Sequence, residues 1–156
     1  MQAKQGTLFP PGIKEVEIIY KAPKLKDTSQ IQSSRDCFKI FKAMSDPRKI
    51  DFKEFFYVAL LNRSNYVIGV SLIGIGCTTG VTVNLKEILQ LVIKTNSSAV
   101  AICHNHPSGS LIPSEADNQI TKRIKEACNL VDVTLIDHLI ITSGTNYYSY
   151  NDEGQI

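Results

Sequence analysis

Apolar residues along this chain follow two rhythms. Some sit in short runs free of charge, at 55–61 and 98–103, while others return every three or four positions over longer stretches. The first rhythm predicts buried strands and the second amphipathic helices. In order, 15–20 alternates loosely and predicts a strand, and a polar connector around Pro23 follows. A helix is predicted over 33–45, capped by Ser33, with Cys37, Phe38, Phe41 and Met44 as its buried stripe and Asp46-Pro47 as its end. The run 55–61, a turn at 62–65 and a return strand over 66–72 predict a hairpin with Glu54 at its mouth. Gly74, Gly76 and Gly80 mark a loop able to act as a lid, followed by a brief extended piece at 81–83. Asn84 caps a second helix, with Glu87 three residues on and Leu85, Ile88, Leu89, Val92 and Ile93 turned inward as far as Asn96. Strand 98–103 leads through Pro107-Ser108-Gly109 to a helix over 114–130, with Ile120, Ile124, Ala127 and Cys128 inward. Strands over 131–142 and 147–150 and a short tail complete an α/β pattern.

Composition changes this picture little. A length of 156 residues suits one domain, and 43% hydrophobic with 21% charged residues is ordinary for a soluble protein. The start of the chain has no apolar core of a signal peptide, and no apolar run reaches the ~18 residues of a membrane span, so a cytoplasmic protein is expected. Cys37, Cys77, Cys103 and Cys128 are scattered without Cys-x-x-Cys spacing and read as reduced, packed side chains. A net charge of +2 asks for no polyanionic partner. The loosely clustered Lys39, Lys42, Arg48, Lys49 and Lys53 read as a solvated face.

Chemistry concentrates between Cys103 and Asp117, which hold two of the chain's three histidines. Residues two apart on a strand share a side, so His104 and His106 face one way, with Cys103 and Asn105 facing the other. Asp117 lies in the first turn of the following helix, where the intervening turn can fold it back over the strand end. Two imidazoles and a carboxylate leave one position open, as in catalytic zinc sites. A simpler reading stands beside this. Ser114-x-x-Asp117 also fits a helix N-cap with an acidic residue closing the box, and the histidines fit a polar strand end.

The spacing His104-x-His106-Pro107-x6-Ser114-x2-Asp117 resembles the signature of the JAMM (JAB/MPN+) metalloproteins. The blocks HNHPSG, PSEAD, LIDHLIIT and YYSYNDEG, in this order, are similar to the RadC family within that group. The resemblance runs from about residue 50 to the C-terminus. It implies an α/β JAB/MPN domain, cytidine-deaminase-like, with a central mixed sheet flanked by helices, preceded by a strand–helix extension over 1–49. It implies Zn²⁺ held by His104, His106 and Asp117, with Ser114 stabilising an oxyanion. It further implies an upstream glutamate activating water; Glu54, at the hairpin mouth, takes that role, although local sequence does not single it out from Glu87 or Glu115. The implied activity is hydrolysis of a peptide or isopeptide bond, under a family name that refers to DNA repair. RadC proteins usually carry a helix-hairpin-helix-like region ahead of this domain. The residues before 50 show no such pattern, so this resembles a short form, which weakens any expectation of DNA binding.

Other classes stay open at this stage. The same metal can serve a nuclease, a case that depends on whether the basic residues of helices 33–45 and 114–130 share one face. Two histidines and a carboxylate also suit non-haem iron. A base deaminase expects His-x-Glu with Pro-Cys-x-x-Cys, which are absent. A binding module that retains the fold without the metal is the remaining class. His138 is expected to pack beside the site or orient a ligand rather than to bind metal, and Asp137 is weighed in the same way.

Overall fold

The computed structural model describes residues 18–24, 28–76 and 82–156. Three helices and five strands follow one another as α1 (Ser34–Met44), β1 (Phe55–Leu61), β2 (Val67–Ile75), α2 (Leu85–Lys94), β3 (Ala99–Asn105), α3 (Glu115–Asn129), β4 (Thr134–Ile141) and β5 (Tyr147–Ser149). The strands form one mixed sheet in the order β2-β1-β3-β4-β5. Only β3 and β4 run parallel, and α3 makes the crossover between them. No helix among the described residues is long and apolar enough to cross a membrane.

Strand periodicity divides the core into two layers. Tyr57, Ala59, Leu61, Ala99, Ala101 and Cys103 face α1, whose Cys37, Phe38 and Phe41 complete that layer. Val58, Leu60, Val100 and Ile102 face α2 and α3, through Ile88, Val92, Ile124 and Cys128. Both central strands β1 and β3 are buried on both sides, which is why their sequences read as unbroken apolar runs. All three helices begin as the sequence predicts: Ser33, Asn84 and Ser114 each accept the backbone N–H three residues on.

Several details differ from the pattern reading. The predicted strand over 15–20 lies partly outside the described residues, and 18–20 carry no regular structure. Met44 is 50% exposed, because the α1 stripe stops at Phe41. Ile93 is 60% exposed, because the buried line of α2 runs through Ile88 and Val92, and the next residue lies about 100° round the helix. β4 starts at Thr134 rather than 131, after a turn that places Asp132 at φ +56°. The proposed lid falls largely on 77–81, outside the described residues.

One irregularity in β4 decides what reaches the site. Val100 pairs with Leu135, but Ala101 pairs with Asp137, so Ile136 is skipped. A bulge of this kind inverts the sides that later residues face. Asp137 thereby joins the α1 layer, where its carboxylate accepts both Ser149 Oγ (2.9 Å) and Asn151 N–H (3.2 Å). His138 turns to the α3 layer, beside Ile102 and His104.

Candidate metal centre

The site forms where β3 emerges from the sheet. His104 and His106 share a side, as their spacing demands, with Nε2 atoms 3.0 Å apart. The backbone N–H of His106 donates to Ile141 at 3.0 Å and holds the strand end against β4. A turn closed by Gly109 N–H on the His106 carbonyl then reverses the chain, with Gly109 at φ +79°, a conformation that favours glycine. The first turn of α3 returns over the strand end. Asp117 Oδ1 lies 3.1 Å from His104 Nε2, and its Oδ2 lies 3.4 Å from His106 Nε2.

The helix-cap reading of Ser114-x-x-Asp117 holds, and the same carboxylate also faces the histidines. Asp117 Oδ2 accepts the backbone N–H of Ser114 (2.7 Å) and its hydroxyl (2.6 Å), closing a capping box. Oδ1 takes no part in the box and faces His104. The cap that starts the helix therefore also fixes the carboxylate.

Hydrogen bonds around the histidines determine which ring nitrogens carry protons. Thr121 Oγ1 donates to the Asp117 carbonyl at 2.5 Å, one helical turn back. Its oxygen therefore accepts from His138 Nδ1, 2.6 Å away. His138 Nε2 is then a bare acceptor and takes the Nδ1 proton of His104 at 2.8 Å. His138 is fully buried, and burial together with the neighbouring His104 pushes its pKa well below the usual range, which keeps it neutral. His104 Nε2 is left with its lone pair pointing at Asp117. His106 donates Nδ1–H to the Ser110 carbonyl at 2.9 Å, so its neutral ring also presents a bare Nε2.

Two lone pairs and a carboxylate thus converge with no proton assigned among them. Such a cluster can hold a cation. A proton is one: hydrogen bonding to Asp117 raises the His106 pKa against the opposing effect of burial. Burial pushes the Asp117 carboxyl up, but the adjoining His104 and His106, whenever they carry a proton toward it, and the Ser114 hydroxyl outweigh burial and hold the group well below the carboxylate range. A metal ion is the other. Donors about 2.0–2.1 Å from a tetrahedral zinc stand about 3.3 Å apart; His104 Nε2 lies 3.0 Å from His106 Nε2 and 3.1 Å from Asp117 Oδ1, and one ligand atom from each of the three residues lies within 4.8 Å of the others. His104, His106 and Asp117 form the one group among the described residues able to hold a metal ion.

Comparison with known proteins agrees with this geometry. The family model described as RadC-like JAB domain matches residues 31–155. The chain belongs to the RadC-like JAB domain family. A UPF0758 protein of Flavobacterium johnsoniae is 40% identical over 134 residues, covering 86% of this chain and 57% of the relative. A UPF0758 protein of Pelodictyon phaeoclathratiforme is 34% identical over 80% of this chain and 54% of its own length. A third, from Haemophilus ducreyi, is 39% identical over 65% of this chain and 45% of its own length. The chain spans about half the length of the curated relatives it matches.

In this RadC-like JAB domain the antiparallel register brings Glu54 to the same place. Phe56 pairs with His104, so two residues outward Glu54 comes opposite His106. Glu54 is buried and lines a cleft of about 550 Å³ together with His106, Ser114 and Asp117. Burial raises its pKa, and the neighbouring Asp117 adds to the effect against the opposing influence of His104.

Pattern reading passed over two residues of the site. Asn105, facing away from the cleft, donates its amide to the carbonyls of Ile50 (2.6 Å) and Lys53 (2.8 Å) and accepts Phe55 N–H (2.8 Å). It ties the segment that carries Glu54 to the histidine strand. A polar residue with the parity of a buried strand position was its only signal. Thr121 was signalled only by lying four residues after Asp117, on the same helix face. His138 orients His104, as the sequence suggested, whereas Asp137 lies across the sheet. Cys103 belongs to the α1 layer.

Proposed function

We propose that this domain is a zinc-dependent hydrolase of the JAMM metallopeptidase type, acting on a peptide or isopeptide bond. The observation that carries the reading is the convergence of His104 Nε2, His106 Nε2 and Asp117 Oδ1 in a cleft that also holds buried Glu54. Two imidazoles and one carboxylate suit zinc, with one position left for solvent. When bound, zinc supplies a water that ionises near neutral pH. Glu54, its pKa raised by burial, accepts the proton from the attacking water and passes it to the leaving amine. The Ser114 hydroxyl, which donates to Asp117 Oδ2 at rest, turns into the cleft to donate to the developing oxyanion, while the Ser114 N–H continues to hold the carboxylate.

The distribution of basic residues favours this over a nuclease. α1 and α3 lie on opposite faces of the sheet, so their lysines and arginines do not share a surface. Lys39 pairs with Asp36, Arg48 and Lys49 pair with Asp46, and Lys42 donates to the carbonyls of Thr142 and Gly144. The reading is tested by metal analysis of the purified protein and its His106→Ala variant, followed by hydrolysis of peptide and isopeptide libraries with Glu54→Gln as the inactive control. Stoichiometric zinc lost in His106→Ala, with cleavage lost in Glu54→Gln, is the expected result. A protein that takes up no zinc when it is offered, or cleaves equally well without Glu54, overturns it.

A further inference from the structure

The cleft extends beyond the metal-binding group. It follows the face of α3 on which Ser114, Asp117, Ile120 and Arg123 recur every three residues, with Val83 and Ile112 also in its lining. At 1.5 Å per residue, Arg123 stands about 9 Å further along the helix than Asp117. Half-buried Ile120 lies between them on the helix, and Ile112, 78% exposed, and Val83 add apolar surface to a lining that also holds Gln119 and Thr82. The two ends carry opposite charges, with Glu54 and Asp117 at the metal end and Arg123 at the other.

Arg123 has no partner among the described residues: it makes no hydrogen bond, ion pair or ring contact with any of them. Glu126, three residues on and placed for a helical pair, forms none with it. The Gln119 amide, one turn back, donates to Glu115 instead. A planar guanidinium left unpaired in a substrate cleft suits a carboxylate, which it can engage with two parallel hydrogen bonds. A single such residue, with apolar surface before it, fits one carboxylate on a peptide better than the repeated charges of a nucleic acid backbone.

We infer that Arg123 is a specificity-determining residue that binds a substrate carboxylate at the far end of the cleft. Extended peptide advances about 3.3 Å per residue, so the carboxylate lies two to three residues from the bond at the metal. It belongs either to an acidic side chain or to a peptide C-terminus. This rests on the hydrolase reading for its choice of a peptide, and the test separates the two.

The probes are fluorescein-labelled octapeptide pools in which one position at a time is fixed as Glu, Gln or Lys, each with a free or amidated C-terminus. They are titrated by fluorescence anisotropy into zinc-loaded Glu54→Gln protein, alone and combined with Arg123→Ala or Arg123→Glu. Position 123 is exposed and helical, where alanine is well tolerated, so the fold survives the change. Expected is one position at which Glu pools bind about 5-fold tighter than Gln pools, the size of an ion pair partly shielded from water. A C-terminal carboxylate gives the same ratio between free acid and amide. The preference disappears in Arg123→Ala and turns toward Lys in Arg123→Glu. The inference is overturned if no pool shows a carboxylate preference, or if the preference survives Arg123→Ala. It is equally overturned if Arg123→Ala weakens binding of a single-stranded DNA 12-mer while leaving the peptides undiscriminated. Cleavage by the zinc-loaded parent is read separately. An Arg123-dependent preference without cleavage sinks the hydrolase reading and leaves the carboxylate site standing, whereas cleavage without the preference does the reverse.

Discussion

The proton arrangement around His104 is open to a direct test through Thr121→Val. The substitution keeps the side-chain shape and removes one oxygen from a fully enclosed position. Two consequences are available to His138, whose Nδ1 proton now lacks its acceptor. It can keep that proton unpaired, at a cost of about 1–3 kcal/mol for a buried donor. Alternatively it moves the proton to Nε2, which faces His104 Nδ1 at 2.8 Å. His104 must then carry its own proton on Nε2, where a metal would bind, and metal binding has to reverse the exchange. In the first case the metal-free protein loses stability and zinc affinity is unchanged. In the second, part of the loss moves into affinity, within the 10- to 100-fold typical of removing a partner of a metal-binding imidazole. The sum is the same either way. Unfolding of metal-free protein in urea gives one part, and competition for zinc against a chromophoric chelator gives the other. Together they should total about 1–3 kcal/mol. Thr121→Ser keeps the hydroxyl and should leave affinity at the wild-type value. Stability and affinity both unchanged in Thr121→Val would refute the assignment of protons along Thr121, His138 and His104.

Asn105→Ala removes three hydrogen bonds and leaves the carbonyls of Ile50 and Lys53 and the N–H of Phe55 without that partner; urea unfolding should show a loss of about 2–4 kcal/mol, and an unchanged midpoint contradicts its role in tying Glu54 to the sheet. In the metal-free protein the His106 pKa is raised by its hydrogen bond to Asp117, so the stability it contributes is complete below the unfolded value of about 6.5 and is lost as pH rises through the folded value. The urea midpoint in chelator should therefore fall from pH 6.5 to 7.5 in the wild type and not in His106→Gln; a wild-type midpoint that stays level counts against the pairing. Burial pushes the thiols of Cys37 and Cys128 up to about 12 and about 11 and raises that of Cys103 well above its ordinary value. Peptide mapping after iodoacetamide treatment at pH 7.5 should find all three unmodified in the native protein and modified in urea, and labelling of any of them at the denatured rate would show that its layer of the core opens.

Much of this was legible in the chain. Unbroken apolar runs located the central strands and a period of 3.6 located the helices, because burial on both faces or on one imposes these patterns locally. Alternation alone put His104 and His106 on one side, and Ser114-x-x-Asp117 announced a helix start. The sequence also raised two uses for Asp117; the capping box is formed, and the same carboxylate lies beside His104 in a group that could hold a metal ion. Tertiary structure decided the rest. Glu54 stood out from Glu87 and Glu115 only once the β1–β3 register, which pairs Phe56 with His104, brought it into the same cleft as His106. Alternation puts Asp137 and His138 on opposite sides of their strand, but which of them faces the site was undecided until the bulge at Ile136 turned His138 toward it. A one-residue slip exchanges the two faces of a strand, and nothing in the local sequence specifies it. That Arg123 has no partner among the described residues is of the same kind. The sequence supplies the guanidinium, and only the packing of α3 against the sheet shows which carboxylates are out of its reach.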